Sequence, residues 1–260
     1  MDNYKNFQMR ERLDVLLQKR MNLTRTQAQS LIRSGKVFDK NGICLDKPGT
    51  KLPESIELKV IQDNRFVSRG GIKLEHALNY FGINVKSVIA MDIGSSTGGF
   101  TDCLLQYGAG KVYAIDVGYG QLAWSIRNNP RVVVMERCNI RYLDSTQLPD
   151  KPNFFVVDCS FISLKLILPR VMELVDIPSQ GVILIKPQFE VGREHVEKGG
   201  VVKDIMIIKK TIDEVLLEAE KIGFEVHGVV PSPIKGPAGN QEYLAYLTLS
   251  RDKKIRDENK

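Results

Sequence analysis

The stretch that most constrains the fold is Val88-Ile-Ala-Met-Asp92-Ile-Gly94-Ser-Ser-Thr-Gly98-Gly99-Phe-Thr-Asp102. An apolar run ends in an acid, passes through a loop of small residues and enters a helix-like pattern. That order opens a βαβ unit, in which the strand is buried on both faces and a helix carries the chain back. Gly94, Gly98 and Gly99 allow a tight turn and a close approach to the backbone. A second apolar run, from Lys111 to Ile115, ends in Asp116. An acid about 20 residues past such glycines commonly meets ribose hydroxyls. The expectation is an α/β, Rossmann-like domain.

The loop does not read as a phosphate loop, because Gly99 is followed by Phe100 rather than by Lys. Nor is it a clean G-x-G-x-x-G, since Gly94-Ser95-Ser96 breaks the first triplet. Acids on both flanks repel a pyrophosphate and suit a cationic, adenosine-containing ligand. S-adenosylmethionine fits that description, and a nicotinamide dinucleotide stays open as the alternative.

At 260 residues, one large domain and one small domain are expected. A net charge of +6 favours a polyanionic partner. The polar start, Met1-Asp-Asn-Tyr-Lys5, does not resemble a signal peptide. No apolar run approaches the ~20 residues that span a bilayer. A cytoplasmic protein without stable membrane association is expected. Cys44, Cys103, Cys138 and Cys159 lack C-x-x-C spacing and read as reduced, core-like thiols. Isolated His76, His195 and His227 suggest no metal site.

Along the first sixty residues, Leu13, Leu16 and Leu17 share a helical face within Arg10 to Arg20. Thr24 and Gln27 form a capping-box pattern for a second helix, with Ala28, Leu31 and Ile32 on its apolar stripe and Gly35 at its end. Val37-Phe38, a turn at Lys40-Asn-Gly42 and a strand from Ser55 to Ile61 complete a small sheet. The succession Arg-Leu-Asp, Thr-Arg-x-x-Ala-x-x-Leu-Ile-x-x-Gly-x-Val and Lys-Pro-Gly resembles the RNA-binding module first described in ribosomal small-subunit protein four. The resemblance covers about residues 10–60 and implies that Arg10, Arg12, Arg25, Arg33 and Lys36 meet RNA phosphates. Such contacts position a protein without reading sequence. The division expected is an α+β RNA-binding domain at 1–62, a short linker at 63–70 that couples the domains closely, the α/β domain at 71–250 and a disordered charged tail at 251–260.

Lys73 falls in the first turn of a helix that runs to Phe81 and stops at Gly82. Gln121 to Arg127 reads as a helix whose Trp124 is core or the wall of an adenine pocket. A third strand, Arg131 to Met135, precedes Asn139, which suits either a purine edge or a turn. The fourth, Asn153 to Val157, ends in Asp158. Ligands of doubly wound sheets bind outside the carboxyl ends of the strands, so Asp92, Asp116 and Asp158 should gather on one edge. Asp158-Cys159-Ser160-Phe161 lacks the [DN]-P-P-[FY] of amino-group methyltransferases. Cys159 follows no proline and reads as packing rather than as a nucleophile. The fifth strand, Gly181 to Ile185, ends in Lys186. Burial lowers a lysine pKa and a carboxylate raises it, and the balance could tune Lys186 toward proton acceptance; an exposed strand-end lysine is the alternative. Gln188 to Lys203 reads as a mobile loop over the site, and Lys209 to Ile222 as an amphipathic helix. Glu225 to Val230 is a strand. A last strand after Glu242, antiparallel inside the sheet, would bring Glu242 to the same edge.

Lys73, Asp158, Lys186 and Glu242 resemble, in order and placement, the Lys-Asp-Lys-Glu tetrad of FtsJ-like ribose 2′-O-methyltransferases. More closely, Ser68-Arg-Gly-Gly-Ile-Lys-Leu74, Asp92 to Asp102, Asp158-Cys-Ser-Phe-Ile-Ser-Leu164, Ile185-Lys-Pro-Gln-Phe-Glu190 and Gly236-Pro-Ala-Gly-Asn-Gln-Glu-Tyr-Leu244 resemble the TlyA family. Ser95 departs from the alanine frequent there. The resemblance spans nearly the whole chain. It implies an S-adenosylmethionine-dependent methylation of ribose 2′-hydroxyls on 16S and/or 23S RNA, within ribosomal RNA or ribosomal subunits. The implied cofactor contacts are Asp92, Gly94, Ser95, Ser96, Gly98, Gly99, Phe100, Asp116, Val117, Asn139 and Asp158. The implied catalytic set is Lys73, Asp158, Lys186 and Glu242, with Lys186 orienting and deprotonating the hydroxyl and Asp158 fixing the amine. Members are often labelled haemolysins, so a membrane-active protein is one alternative, and a non-catalytic RNA-binding factor is another.

Overall fold

The computed structural model describes residues 10–60 and 65–250. Residues 1–9, the expected tail at 251–260 and residues 61–64, which end the expected first domain and begin the expected linker at 63–70, lie outside these. The chain divides into two compact units, Met1–Arg69 and Gly70–Lys260.

In the first unit, β1 (Arg10–Arg12) leads directly into α1 (Leu13–Met21). The helix expected from Arg10 therefore starts three residues later. Its first free N–H groups, those of Leu13 and Asp14, are taken up by the carbonyls of Thr50 and Pro48. The sequence after Met21 turns into α2 (Arg25–Arg33), which has the expected capping box between Thr24 and Gln27. It ends with Lys36 N–H on Leu31 O and Gly35 N–H on Ile32 O, a Schellman arrangement. One small sheet was expected, but two antiparallel pairs form. β1 pairs with β3 (Lys51–Pro53), and β2 (Val37–Asp39) pairs with β4 (Leu58–Val60). Leu13, Leu17, Ala28, Ile32 and Val37 make the core that joins the helices to these strands.

The second unit holds a seven-stranded sheet. Its elements are α3 (Gly70–Phe81), β5 (Ile89–Ile93), α4 (Gly99–Gln106), β6 (Lys111–Ile115), α5 (Trp124–Arg127) and β7 (Val132–Met135). β8 (Phe154–Val157), α6 (Leu168–Leu174), β9 (Ser179–Ile185), α7 (Pro187–Glu190), α8 (Ile205–Lys221), β10 (Glu225–Pro231) and β11 (Tyr243–Leu249) follow. The strand order is β10-β11-β9-β8-β5-β6-β7. Neighbours from β9 to β7 are parallel, and β11 runs antiparallel between β9 and β10. β8 has no exposed residue on either face, as a central strand flanked by helices requires. Met91, Phe155, Ile183 and Leu247 belong to one buried cluster with Val215 and Phe224. Among the described residues no helix is long and apolar enough to cross a membrane.

Two sheet features position the site. From β5 the chain moves to β6 on one side, whereas β8 lies on the other, so a crevice opens at the carboxyl ends of β5 and β8. There Gly94 has φ +84°, and a Cβ on it would lie 2.6 Å from Asp158 O, so only glycine lets the two loops cross this closely. The register of β11 pairs Tyr243 with Ile185, which sets Glu242, one residue earlier, across from Lys186, one residue later. An antiparallel strand starts where its parallel neighbours end, and this alone delivers Glu242 to the crevice.

Candidate active site

The four charged residues from distant parts of the chain meet as two ion pairs. Lys73 Nζ lies 2.5 Å from Glu242 Oε2, and Lys186 Nζ lies 2.6 Å from Asp158 Oδ1. Lys73, Lys186 and Glu242 are buried, at 7%, 8% and 1% exposure, while Asp158 keeps a fifth of its side chain open. Two lysines and two carboxylates cancel formally, which makes their burial tolerable. Removing one partner of such a pair leaves an uncompensated charge, at a cost of about 3–5 kcal/mol.

The approach of Lys186 to Asp158 Oδ1 is an ion pair without hydrogen-bond alignment, and that oxygen is itself shut off from solvent. Lys186 instead donates to Ser160 Oγ at 3.0 Å. Burial pushes the Asp158 carboxyl up, but Lys186 and Lys73 outweigh it and hold the group below its ordinary value. Burial pushes Lys186 down, yet Asp158 and Glu242 outweigh that and hold the amine above its ordinary value. The balance therefore falls opposite to the expectation of a lysine tuned for proton acceptance: two carboxylates face Lys186, and it rests as an ammonium. Cys159 is pushed up to about 12 by burial and the charge of Asp158, so its thiol stays protonated, in keeping with a packing role.

Beside the tetrad is a cavity of about 420 Å³. Gly94, Ser96, Asp116, Val117, Asn139 and Asp158 line it, six of the eleven expected cofactor contacts. Asp116 accepts from the N–H groups of Ser96 (2.8 Å) and Gly118 (2.6 Å), which fixes its carboxylate at the rim. Asn139 accepts from Arg141 N–H, which is the turn alternative, and it also lines the cavity.

The structure does not bring the other five to the cavity wall. Asp92 is fully buried below the loop, and its Oδ2 accepts from Thr101 Oγ1 at 2.6 Å. Ser95 is stitched to Ile115 O, and a Cβ on Gly98 would meet the Leu122 side chain at 2.8 Å. Gly99 opens α4, and Phe100 is buried. These residues shape the loop. Trp124 is 78% exposed and outside the cavity, against the expectation of core or adenine wall. The single helical turn around it buries Ile126 and leaves the indole outside.

Ser160, Gln121 and Phe161 reach the site without having been expected there. The signal for Ser160 and Phe161 lay in their nearness to Asp158; nothing local marked Gln121, which Ser96 Oγ meets at 3.3 Å. The stretch expected as a mobile loop, Gln188 to Lys203, carries α7, a helical turn at Arg193–His195 and a bridge between Glu197 and Val201. No group of three or more metal-ligating side chains occurs among the described residues.

The basic residues of the first unit separate into two kinds. Arg12 donates twice to the fully buried Asp14, Arg25 approaches it at 3.4 Å, and Arg10 and Lys36 donate to the carbonyls of Lys51 and Phe66. Arg12 and the Gln29 amide help to hold the Asp14 carboxyl far below its ordinary value. Arg33 is exposed on α2.

Over residues 66–249 the chain matches the family described as FtsJ-like methyltransferase, so the class of the fold and of its crevice is that of a methyltransferase. It is 47% identical over 241 residues to YqxC of Bacillus subtilis, named as a candidate rRNA methyltransferase, covering 92% of this chain and 85% of that one. It is 43% identical to the 16S/23S rRNA (cytidine-2'-O)-methyltransferase TlyA of Mycobacterium tuberculosis, covering 95% of this chain and 92% of that one. A solved Streptococcus thermophilus structure, described as a candidate hemolysin, superposes with a TM-score of 0.73 at 40% identity and covers 97% of this chain and all of its own. The chain belongs to the TlyA family of FtsJ-like methyltransferases.

Proposed function

We propose that this protein methylates a ribose 2′-hydroxyl of ribosomal RNA, in 16S RNA, 23S RNA or both, with S-adenosylmethionine as donor. The observation that carries this reading is the meeting of Lys73–Glu242 and Lys186–Asp158 beside an acid-rimmed cavity. The cavity suits the cofactor: its volume is that of a small-molecule site, and Asp116 and Asp158 line it without a lysine or arginine. Such a lining accommodates a cationic, ribose-bearing ligand and disfavours a pyrophosphate. When bound, S-adenosylmethionine supplies a methyl group already activated on a sulfonium. Asp116 and Asn139 would hold its nucleoside, and Gly94 and Ser96 would border it.

What remains for the chain is alignment and one proton. Lys186, held as an ammonium, would donate to the 2′-oxygen and orient it. As the new O–C bond forms, the hydroxyl proton becomes strongly acidic, so even a carboxylate below its ordinary range can accept it. The Asp158 carboxylate, a fifth of whose side chain stays open, is the group assigned. Lys73 and Glu242 would complete the charge balance and seat the ribose. The first unit would grip phosphates through Arg33 and its basic neighbours. Arg137 over Tyr119 and Arg141 over Tyr142, on the loops beyond β6 and β7, add exposed stacking surfaces of the kind that meet unpaired bases.

The test incubates each purified ribosomal subunit with the full chain and labelled S-adenosylmethionine and maps the modified nucleotide. A methylated ribose is expected. Lys186→Ala should lose about a hundredfold or more in rate while binding S-adenosylmethionine nearly as well as the wild type. Near-normal turnover by that variant would refute the role of Lys186.

A further inference from the structure

Glu190 sits at the end of α7, four residues past Lys186. Its carboxylate crosses to the loop that follows Asp158. Oε2 accepts from Ser163 Oγ at 2.6 Å, and Oε1 accepts from Leu164 N–H at 2.8 Å. The same two segments also meet at their other end, through Lys186 with Asp158 and with Ser160. Between these ties the rings of Phe161 and Phe189 pack with centroids 4.8 Å apart. Phe161 is 90% exposed at the cavity and holds φ +64°, a left-handed backbone that a phenylalanine keeps only when both flanks are anchored. Burial raises the Glu190 carboxyl above its ordinary value, and its two donors offset this only in part. An apolar side chain would avoid that cost but would leave Ser163 and Leu164 N–H unmet.

We propose that Glu190 is a positioning residue for methyl transfer: it ties the segment bearing Lys186 to the loop bearing Asp158, and thereby fixes their separation and the pose of Phe161. The inference rests on the proposed reaction. Glu190 touches neither the cavity nor the charge tetrad, so its effect passes through Ser163 and Leu164. Its removal should lower kcat, because the misplaced groups act on the reacting oxygen. It should leave the KM for RNA nearly alone, because the phosphate contacts lie elsewhere.

The experiment compares wild type, Glu190→Ala, Glu190→Gln and Ser163→Ala as full chains on the methylated ribosomal subunit. It also follows amide hydrogen exchange over residues 159–166. Glu190→Ala should lose about tenfold or more in kcat, with KM for RNA changed by less than about threefold. Exchange should accelerate in 159–166 and not across the rest of the sheet. The glutamine amide can accept from Leu164 N–H and donate to Ser163 Oγ, so Glu190→Gln should recover most of kcat. Ser163→Ala removes one of the two ties and should give an intermediate loss; it decides the matter if Glu190→Ala does not fold. A kcat within about twofold of wild type for Glu190→Ala, or a loss that glutamine does not restore, overturns the positioning role alone. A wild-type chain inactive on both subunits overturns the reaction and this role with it.

Discussion

Asp92, inside β5, and Asp158, just past the end of the neighbouring β8, are the same residue type and have opposite electrostatics. Among the described residues no lysine pairs with Asp92; burial raises its carboxyl to about 7, against a hydroxyl donor from Thr101. Its Oδ1 has no hydrogen-bond partner among the described residues. A carboxyl raised in the fold takes up a proton there before it would in the unfolded chain, so it favours folding below the unfolded value of about 4. That contribution is lost as pH rises from about 4 to about 7. Asp92→Asn keeps the shape and removes the titration. Thermal unfolding of the two proteins across this window should show the variant gaining on wild type as pH rises. Parallel pH curves would mean that Asp92 does not titrate in this range. Asp158, held low by Lys186 and Lys73, contributes in the other sense: its share is present above its unfolded value and fades as pH falls through its lower folded value.

At the scale of elements, the crevice depends on how closely two strand-end loops cross. Gly94→Ala adds a methyl 2.6 Å from Asp158 O at φ +84°. The left-handed backbone alone costs about 1–3 kcal/mol, and the contact with a main-chain oxygen adds to it because neither loop can yield without moving Asp158. Denaturant unfolding should show a loss at least that large, together with weaker S-adenosylmethionine binding measured by calorimetry. Binding and stability both unchanged would show that the loops have slack. Glu242 is held by comparable means: Asn240 accepts from Val202 N–H and donates to Gly200 O, which fastens the 199–202 turn just ahead of β11.

For the whole molecule, each unit has a core of its own, and the basic residues of the first unit do unequal work. Arg12 donates twice to the buried Asp14, so Arg12→Ala should destabilise the first unit by leaving that carboxylate to Arg25 and Gln29 alone. Arg33 is exposed, so Arg33→Ala should leave stability unchanged and weaken RNA binding. If it meets one phosphate, the slope of log affinity against log salt should fall by about 0.7–0.9, with kcat at saturating RNA unaffected. An unchanged slope would remove Arg33 from the interface.

Local pattern alone specified the capping box of α2, the buried parallel strands and the acids at their carboxyl ends, because each depends on neighbours a few residues apart. It also singled out Lys73, Asp158, Lys186 and Glu242, by position and family resemblance, as candidates to meet. Which residue balances which was decided by the tertiary structure. Lys186 rests as an ammonium because β11 delivers Glu242 beside it and β8 delivers Asp158, and the sum of burial and two opposite charges cannot be read from strand ends singly. In the same way Trp124 lies outside while Ile126 of the same helical turn is buried, and Asp92, inside β5, is buried against Thr101 of α4. Sequence sets what each segment can form, while the sign of a buried charge depends on distances between segments far apart in the chain.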